Sequence, residues 1–390
     1  MDDVHGTPIT FRTPDVRFGA TVASEVPAAL DRYGVDRPLV VTDEGVEEAG
    51  VLSRVTDPVE RPVETHYATT EPGTDDFEDL PLDDVDGVVA VGGGSAIDTA
   101  KVAAVLAAHG GHPADYLGVG RVAGPTAPVL AVPTTSGTGS QATQTAVLAH
   151  EGVKRGISDE HLRPTAALVD PTLTEGLPAH VTARSGFDAF VHALESLTAR
   201  DHRWVPERPI TYQGANPVSR PLSRQALTLA HGSLERAYAD GGDRAARRAM
   251  SLGAHLAGAA FSTAGLGVVH ALASTVGGMT GRPHGECLAA SVRPGLTYNL
   301  PARRGEYAVL ARDLGVTEAA TDDEAAAALL AECDRLRAAL DLPGSLSDLG
   351  LGTDDVGAIV ERTVAQDRRI ATNPRTVDDR LRAVVAAAFD

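Results

Sequence analysis

Short runs of Val, Leu and Ala punctuate the first half of the chain, separated by stretches with helical spacing. Pro38 to Thr42 (PLVVT) reads as a buried strand, followed by an acidic helical stretch from Glu44. Asp86 to Val91 (DGVVAV) reads as a second strand ending in Gly92-Gly93-Gly94, Ala127 to Val132 (APVLAV) as a third, and Ala166 to Val169 (AALV) as a fourth. Continuous apolar strands between helical segments predict parallel pairing with both faces covered. That is an α/β, doubly wound expectation. After Pro171 the pattern changes. From Leu177 onward the chain carries Ala/Leu/Arg-rich helical patterns, such as EAAAALLAECDRLRAAL, and no convincing strand. The expected division is an α/β domain over residues 1–174 and an all-α domain over residues 175–390. One stretch departs from the helical texture. Asp201 to Leu222 holds Pro206, Pro209, Pro217 and Pro221, which forbid a helix there and imply an ordered insert or loop.

Composition narrows the function. At 390 residues with 43% hydrophobic content the chain can bury a sizeable core in two domains or one large one. A net charge of −19 offers no basic stripe for neutralising nucleic-acid phosphates, and argues equally against an anionic membrane surface. No apolar run reaches the roughly 18 residues of a membrane span, and MDDVHGTPITFRTPDV lacks a secretion signal, so a cytoplasmic location is expected. Cys287 and Cys333 are too few for a disulfide framework or a thiolate metal site. Of 34 basic residues only Lys101 and Lys154 are lysine, leaving 32 arginines. Acidic excess with almost no lysine suggests a halophilic protein, and a GC-rich genome would produce part of the same bias. The positions of the two lysines therefore merit inspection.

Two loops suggest a nucleotide. VVAVGGGSAIDTAK sets three glycines at a strand end, with Ser95 as cap of a helix starting at Ala96. Such a turn presents backbone N–H groups beside a helix N-terminus, a cradle for phosphate. It is neither GxGxxG nor a Walker pattern, and a plain glycine-rich turn is the alternative. A second glycine-rich loop, AVPTTSGTGSQAT, follows the next strand at the same sheet end, where ligands of open α/β sheets bind. Asp43 ends the first strand in VVTDEG. A carboxylate there can accept both adenosine ribose hydroxyls and repel a 2′-phosphate, favouring NAD over NADP; the alternative is an ordinary helix N-cap.

The second half supplies candidate metal ligands. Asp188 and His192 are four apart in SGFDAFVHALES, on one helix face, and His270 and His284 follow in GLGVVHALASTVGGMTGRPHG. One carboxylate and three imidazoles suffice for a catalytic divalent metal with room for a substrate oxygen. With thirteen histidines in the chain, chance pairs are common, and a His on an apolar helix face is ordinarily a packed core residue.

In order along the chain, GGGSAIDTAK, PTTSGTGS, LRPTAALVDP, GFDAFVHALES and the HALAS…PHG segment closely resemble the iron-containing (group III) alcohol dehydrogenase family, whose fold is shared with dehydroquinate synthase and glycerol dehydrogenase. The resemblance covers roughly residues 17 to 300. It implies an N-terminal dinucleotide-binding domain, a helical metal-binding C-terminal domain and an active site in the cleft between them. It carries the metal ligands onto Asp188, His192, His270 and His284, and the phosphate loop onto Gly93, Gly94 and Ser95, with Asp98 in the helix that follows. Thr134, Thr135 and Thr138 match a cofactor-lining threonine loop, Lys154 a lysine reaching the nicotinamide ribose, and Lys101 closes the glycine signature. Fe²⁺ is the metal the resemblance implies. Ligand type alone admits Zn²⁺, Co²⁺ or Mn²⁺ equally.

Two departures stand out. Many relatives carry a second His four residues after the third ligand, which helps relay the alcohol proton; Ser274 stands there, and a hydroxyl cannot hold a proton near neutrality. HRWVPERPITYQGANPVS resembles the hydroxyacid–oxoacid transhydrogenase branch, and Arg203 or Arg208 could hold a substrate carboxylate, or simply face solvent. The expected activity is a metal-dependent, NAD-dependent dehydrogenase acting on a small alcohol, aldehyde, or hydroxy or oxo acid. A transhydrogenase with tightly bound NAD is the alternative, and a non-enzymatic binding protein the third reading. The expected assembly is a homodimer or higher homo-oligomer.

Overall fold

The computed structural model describes residues 8–206 and 210–389. Its first half runs β1 (Asp15–Phe18), α1 (Val26–Tyr33), β2 (Pro38–Thr42), α2 (Glu44–Glu48), α3 (Val51–Thr56), β3 (Glu64–Tyr67), β4 (Gly87–Gly92), α4 (Gly94–His109), β5 (Gly118–Val119), β6 (Val129–Pro133), β7 (Thr145–His150), β8 (Val153–Ser158) and β9 (Ala166–Val169). Six strands form one parallel sheet in the order β1-β9-β6-β4-β2-β3. The apolar runs are its four inner strands, β9, β6, β4 and β2, and every residue in them is buried. Alternation splits their side chains between two cores: Leu39, Val41, Val88 and Ala90 on one face, Val40, Val89, Val91, Leu130 and Val132 on the other. Edge strands β1 and β3 are short and largely polar (DVRF, ETHY), as edges of such sheets commonly are.

A second sheet, β5-β8-β7, departs from the all-parallel expectation, because β7 and β8 pair antiparallel. Their two-residue connection, Glu151-Gly152, has φ of 51° and 74°, the double positive φ of a hairpin turn.

Beyond Pro171 the chain is helical: α5 (Ala179–Thr198), α6 (Ser219–Ala239), α7 (Arg244–Ala264), α8 (Val268–Thr280), α9 (His284–Asp313), α10 (Asp322–Ala339), α11 (Val356–Val364), α12 (Asp367–Ile370) and α13 (Leu381–Ala386). Leu194, Leu234, Leu272, Leu296 and Leu329, one from each of five helices, meet in one core, where truncation to Ala costs about 2–5 kcal/mol each. Among the described residues no single helix is long and apolar enough to cross a membrane.

The proline-rich stretch is ordered where it is described. Asp201 bridges Ala215, and Gln213 and Gly214 N–H groups donate to Thr263 and Ala264 carbonyls at the end of α7. Helix α6 begins at Ser219, inside the stretch expected to be non-helical. Pro221 falls in the first turn, where its missing N–H has no intrahelical acceptor to lose. Arg208 and Pro209 lie outside the described residues.

Candidate active site

The glycine turn and the threonine loop are built against each other. Helix α4 is capped by Gly93 in extended conformation, so its first helical residue is Gly94; Ser95, expected as the cap, lies inside the helix and donates to the Thr70 carbonyl at 2.5 Å. A Cβ on Gly94 would lie 2.6 Å from Thr138 Cγ2, and one on Gly93 would rest 3.4 Å from Thr135 Cγ2. The Thr134 N–H donates to the Gly92 carbonyl at 3.0 Å. These contacts leave the N–H groups opening α4 beside a loop of hydroxyls, a surface suited to a pyrophosphate. Asp43 does cap a helix: its Oδ1 accepts from the Val46 N–H at 2.9 Å. Its Oδ2 faces Gly92, where a Cβ would stand 3.2 Å away.

Asp98 and Lys101 brace this cradle from behind. The fully buried Lys101 donates to Ser140 Oγ at 2.7 Å, Thr143 Oγ1 at 3.0 Å and the Thr145 carbonyl at 2.8 Å. Asp98 accepts from Ser140 Oγ through Oδ1 and from the Val147 N–H at 2.9 Å through Oδ2. Burial pushes the Lys101 amine down to about 8 and the Asp98 carboxyl up, with each partner's charge opposing the other's shift. Lys154, on β8, ion-pairs with Glu71 at 2.6 Å.

The same threonine loop reaches the helical half. A Cβ on Gly137 would lie 2.6 Å from that of Ser185, one turn before Asp188 on α5, and Gly139, at φ 63°, meets the Gly258 backbone of α7. There three imidazoles converge on one carboxylate oxygen. Asp188 Oδ1 lies 3.4 Å from His270 Nε2, 3.5 Å from His192 Nδ1 and 3.8 Å from His284 Nε2. Donor atoms of Asp188, His192 and His270 all fall within 4.8 Å of one another, and all three residues are buried; His284, first residue of α9, is the most exposed of the four. His192 Nδ1 is buried with no hydrogen-bond partner. An orphaned imidazole nitrogen aimed at a carboxylate, beside two further imidazoles, fits a borderline divalent cation.

Charge follows this arrangement. Burial pushes His192 down to about 3 and His284 down to about 4, with Asp188 opposing in both. Burial works against a charge on His270 too, but hydrogen bonds to Asp188 and Glu195 outweigh it and push that imidazole up to about 9. Burial likewise opposes ionisation of Asp188, yet the histidines hold its carboxyl well below the usual range.

Three neighbours escape the sequence reading. Glu195 Oε2 lies 2.5 Å from His270 Nδ1, while its Oε1 accepts from the Val269 N–H at 2.9 Å. A carboxylate at Nδ1 holds a proton on that nitrogen, so Nε2, once a cation takes the place of its own proton, would be the donor atom toward the site. Glu195 stands seven residues after Asp188, two turns along the same face, a spacing that could have flagged it. Phe261 stacks on His192, ring centroids 4.3 Å apart, and His192 stacks on His270 at 4.5 Å. Gln366 Nε2 donates to the Ala271 carbonyl at 2.9 Å and Thr275 Oγ1 at 2.8 Å, tying the C-terminal segment to the turn that bears His270. Ser274 is half-buried beside it. Arg203 ion-pairs with Asp201 at 2.9 Å.

Residues 13–171 match the family model for iron-containing alcohol dehydrogenase, and residues 182–388 match the C-terminal model of the Fe-containing alcohol dehydrogenase family. The chain belongs to the iron-containing alcohol dehydrogenase family. It is 32% identical over 388 residues to the NAD-dependent methanol dehydrogenase of Bacillus methanolicus, covering 95% of this chain and 97% of that one. It is 34% identical over 381 residues to the 4-hydroxybutyrate dehydrogenase of Cupriavidus necator, covering 92% and 93%. A solved 1,3-propanediol oxidoreductase superposes with a TM-score of 0.90 at 30% identity, over 98% of this chain and all of that one. Like these members of the family, the chain is an oxidoreductase with an α/β sheet domain followed by a helical domain.

Proposed function

We propose that the chain moves a hydride between a small alcohol or hydroxy acid and NAD, in the cleft where the threonine loop meets α5. The convergence of three imidazoles on Asp188 Oδ1 is the observation that carries this reading. Asp188, His192, His270 and His284 would hold a divalent cation, Fe²⁺ by family and Zn²⁺ as the second candidate; when bound, it supplies Lewis acidity toward the substrate oxygen, and nicotinamide supplies the hydride acceptor. Glu195 keeps the His270 proton on Nδ1. Phe261, flat against His192, limits how that ring can turn and walls the site with apolar surface. Gly93, Gly94 and Ser95 with Thr134, Thr135 and Thr138 cradle the cofactor, and Asp43 and Lys154 address its riboses. The Asp43 carboxylate favours NAD, since a 2′-phosphate there meets like charge. Ser274 passes a proton only by way of water, so alcohol deprotonation drains through solvent or the cofactor ribose.

The division into residues 1–174 and 175–390 follows the change from sheet to helices. The acidic, arginine-based surface suits high salt, and the open edge of β1, with Val16 exposed, suits pairing with a second copy as a cytoplasmic homodimer. Turnover of alcohols followed at 340 nm in high salt, before and after chelation, tests the reading. Activity should vanish with the metal and return on reloading, and His270→Ala should lose both metal and at least about a thousandfold in rate while staying folded, since Lewis-acid stabilisation is worth several kcal/mol. Full activity in demonstrably metal-free protein would refute it.

A further inference from the structure

Helix α12 carries two adjacent arginines that are used differently. Arg368 donates to Ser158 and Thr145 on the β7–β8 hairpin and lies over the Tyr212 ring, 5.1 Å from its centroid. Arg369 instead donates from Nη1 to Gln366 Oε1 at 3.0 Å. Gln366 in turn is bonded to Ala271 and Thr275, so two links fix the Arg369 guanidinium to the helix turn bearing His270. Lys154 is neutralised by Glu71. Arg369 is half-buried, and among the described residues no carboxylate lies within ion-pairing distance of it. Its Nε and Nη2, the edge of the fork that matches a carboxylate, make no hydrogen bond to the described protein.

We propose that Arg369 receives an anionic group of the substrate through this open edge, so that the enzyme prefers small hydroxy acids over neutral alcohols of equal length. The inference rests on the dehydrogenase reading for the carbinol end and adds the receptor for the other end. A half-buried guanidinium without a counter-ion is costly, and a ligand carboxylate removes that cost on binding. A carbinol near the imidazoles and a carboxylate on Arg369 would pin a substrate at both ends. Phe261, on the His192 side, offers an anion nothing. The chain's overall charge of −19 makes such a local cation the discriminating feature for an acid that must enter this cleft.

The test compares holoenzyme and its Arg369→Gln and Arg369→Lys variants on the matched pair 4-hydroxybutyrate and butan-1-ol. Arg369→Gln should raise KM for the acid roughly 10- to 100-fold more than for the alcohol, with kcat for the acid changed far less, and Arg369→Lys should recover part of that loss. Equal shifts for acid and alcohol, or no shift, would overturn the proposal. Calorimetric titration with succinate, which has no carbinol to oxidise, gives a readout independent of turnover. Wild type should bind it and Arg369→Gln should not; equal binding, or none to either, would overturn the proposal. If neither alcohol nor acid is oxidised, the dehydrogenase reading falls, and the succinate titration alone decides the role of Arg369.

Discussion

The two halves of the site are made of different materials. The proposed cofactor side is backbone and small side chains drawn from two short segments, 92–95 and 134–138, whose fit is steric: Gly94 is glycine because Thr138 occupies the space. The proposed metal side is largely buried ionisable groups drawn from α5, α8 and α9, up to 96 residues apart between Asp188 and His284, whose fit is electrostatic. A steric cradle fails by a few tenths of an ångström and can be repaired by trimming a neighbour. An electrostatic centre fails when one charge loses its partner, and no neighbour can substitute.

That contrast can be broken first at Glu195. Glu195→Gln removes the charge behind His270 without replacing a proposed ligand, and metal affinity should fall roughly 10- to 100-fold. Competition against a calibrated chelator measures it, with NAD affinity as the control that should hold. An unchanged metal affinity would mean that Glu195 only packs. Next, Gly94→Ala should weaken NAD binding about tenfold by pushing Thr138 into the cradle, while metal content stays constant; adding Thr138→Ala should recover part of the loss. Loss of metal in the single variant would show that the halves are not separable.

The smallest effect concerns the brace behind the cradle. Burial lowers Lys101 to about 8, below its free value of 10.5, so between these values the unfolded chain binds more protons than the folded one. Stability contributed here therefore rises with pH, by at most about 1.4 kcal/mol per unit. Denaturant melts between pH 8 and 10 should show that rise in wild type, and a flatter profile in Asp98→Asn/Lys101→Met, which removes both charges together. Parallel profiles would place the pH response elsewhere.

The steric half was the more legible in sequence, for a physical reason. Inner strands β2, β4, β6 and β9 must be apolar on both faces, so they stand out as continuous runs, and the glycine turn follows one of them directly. The β7–β8 hairpin hides because its turn is Glu-Gly rather than Asn-Gly, with Glu151 tolerating a positive φ. β1 and β3 hide because edges are short and polar. Helix α9 runs 30 residues through Pro294 and Pro301, each of which would read as a stop. In the electrostatic half the Asp188–His192 pair was visible from spacing on one helix. Glu195 shares that face, two turns on, but its role was not legible because its partner lies 75 residues away, and the same holds for Gln366 and Arg369, brought to α8 by the C-terminal segment.

Gly139 and Gly258 touch backbone to backbone, so the threonine loop is riveted to α7 with no side chain between them, two residues from where Gly137 meets Ser185 of α5. A rivet with no side chains cannot slide or lengthen. The glycine turn on one side and α5 on the other are thereby held at a fixed spacing across the threonine loop. A single methyl at either glycine would meet the other's backbone at 2.6 Å and push the loop off α7.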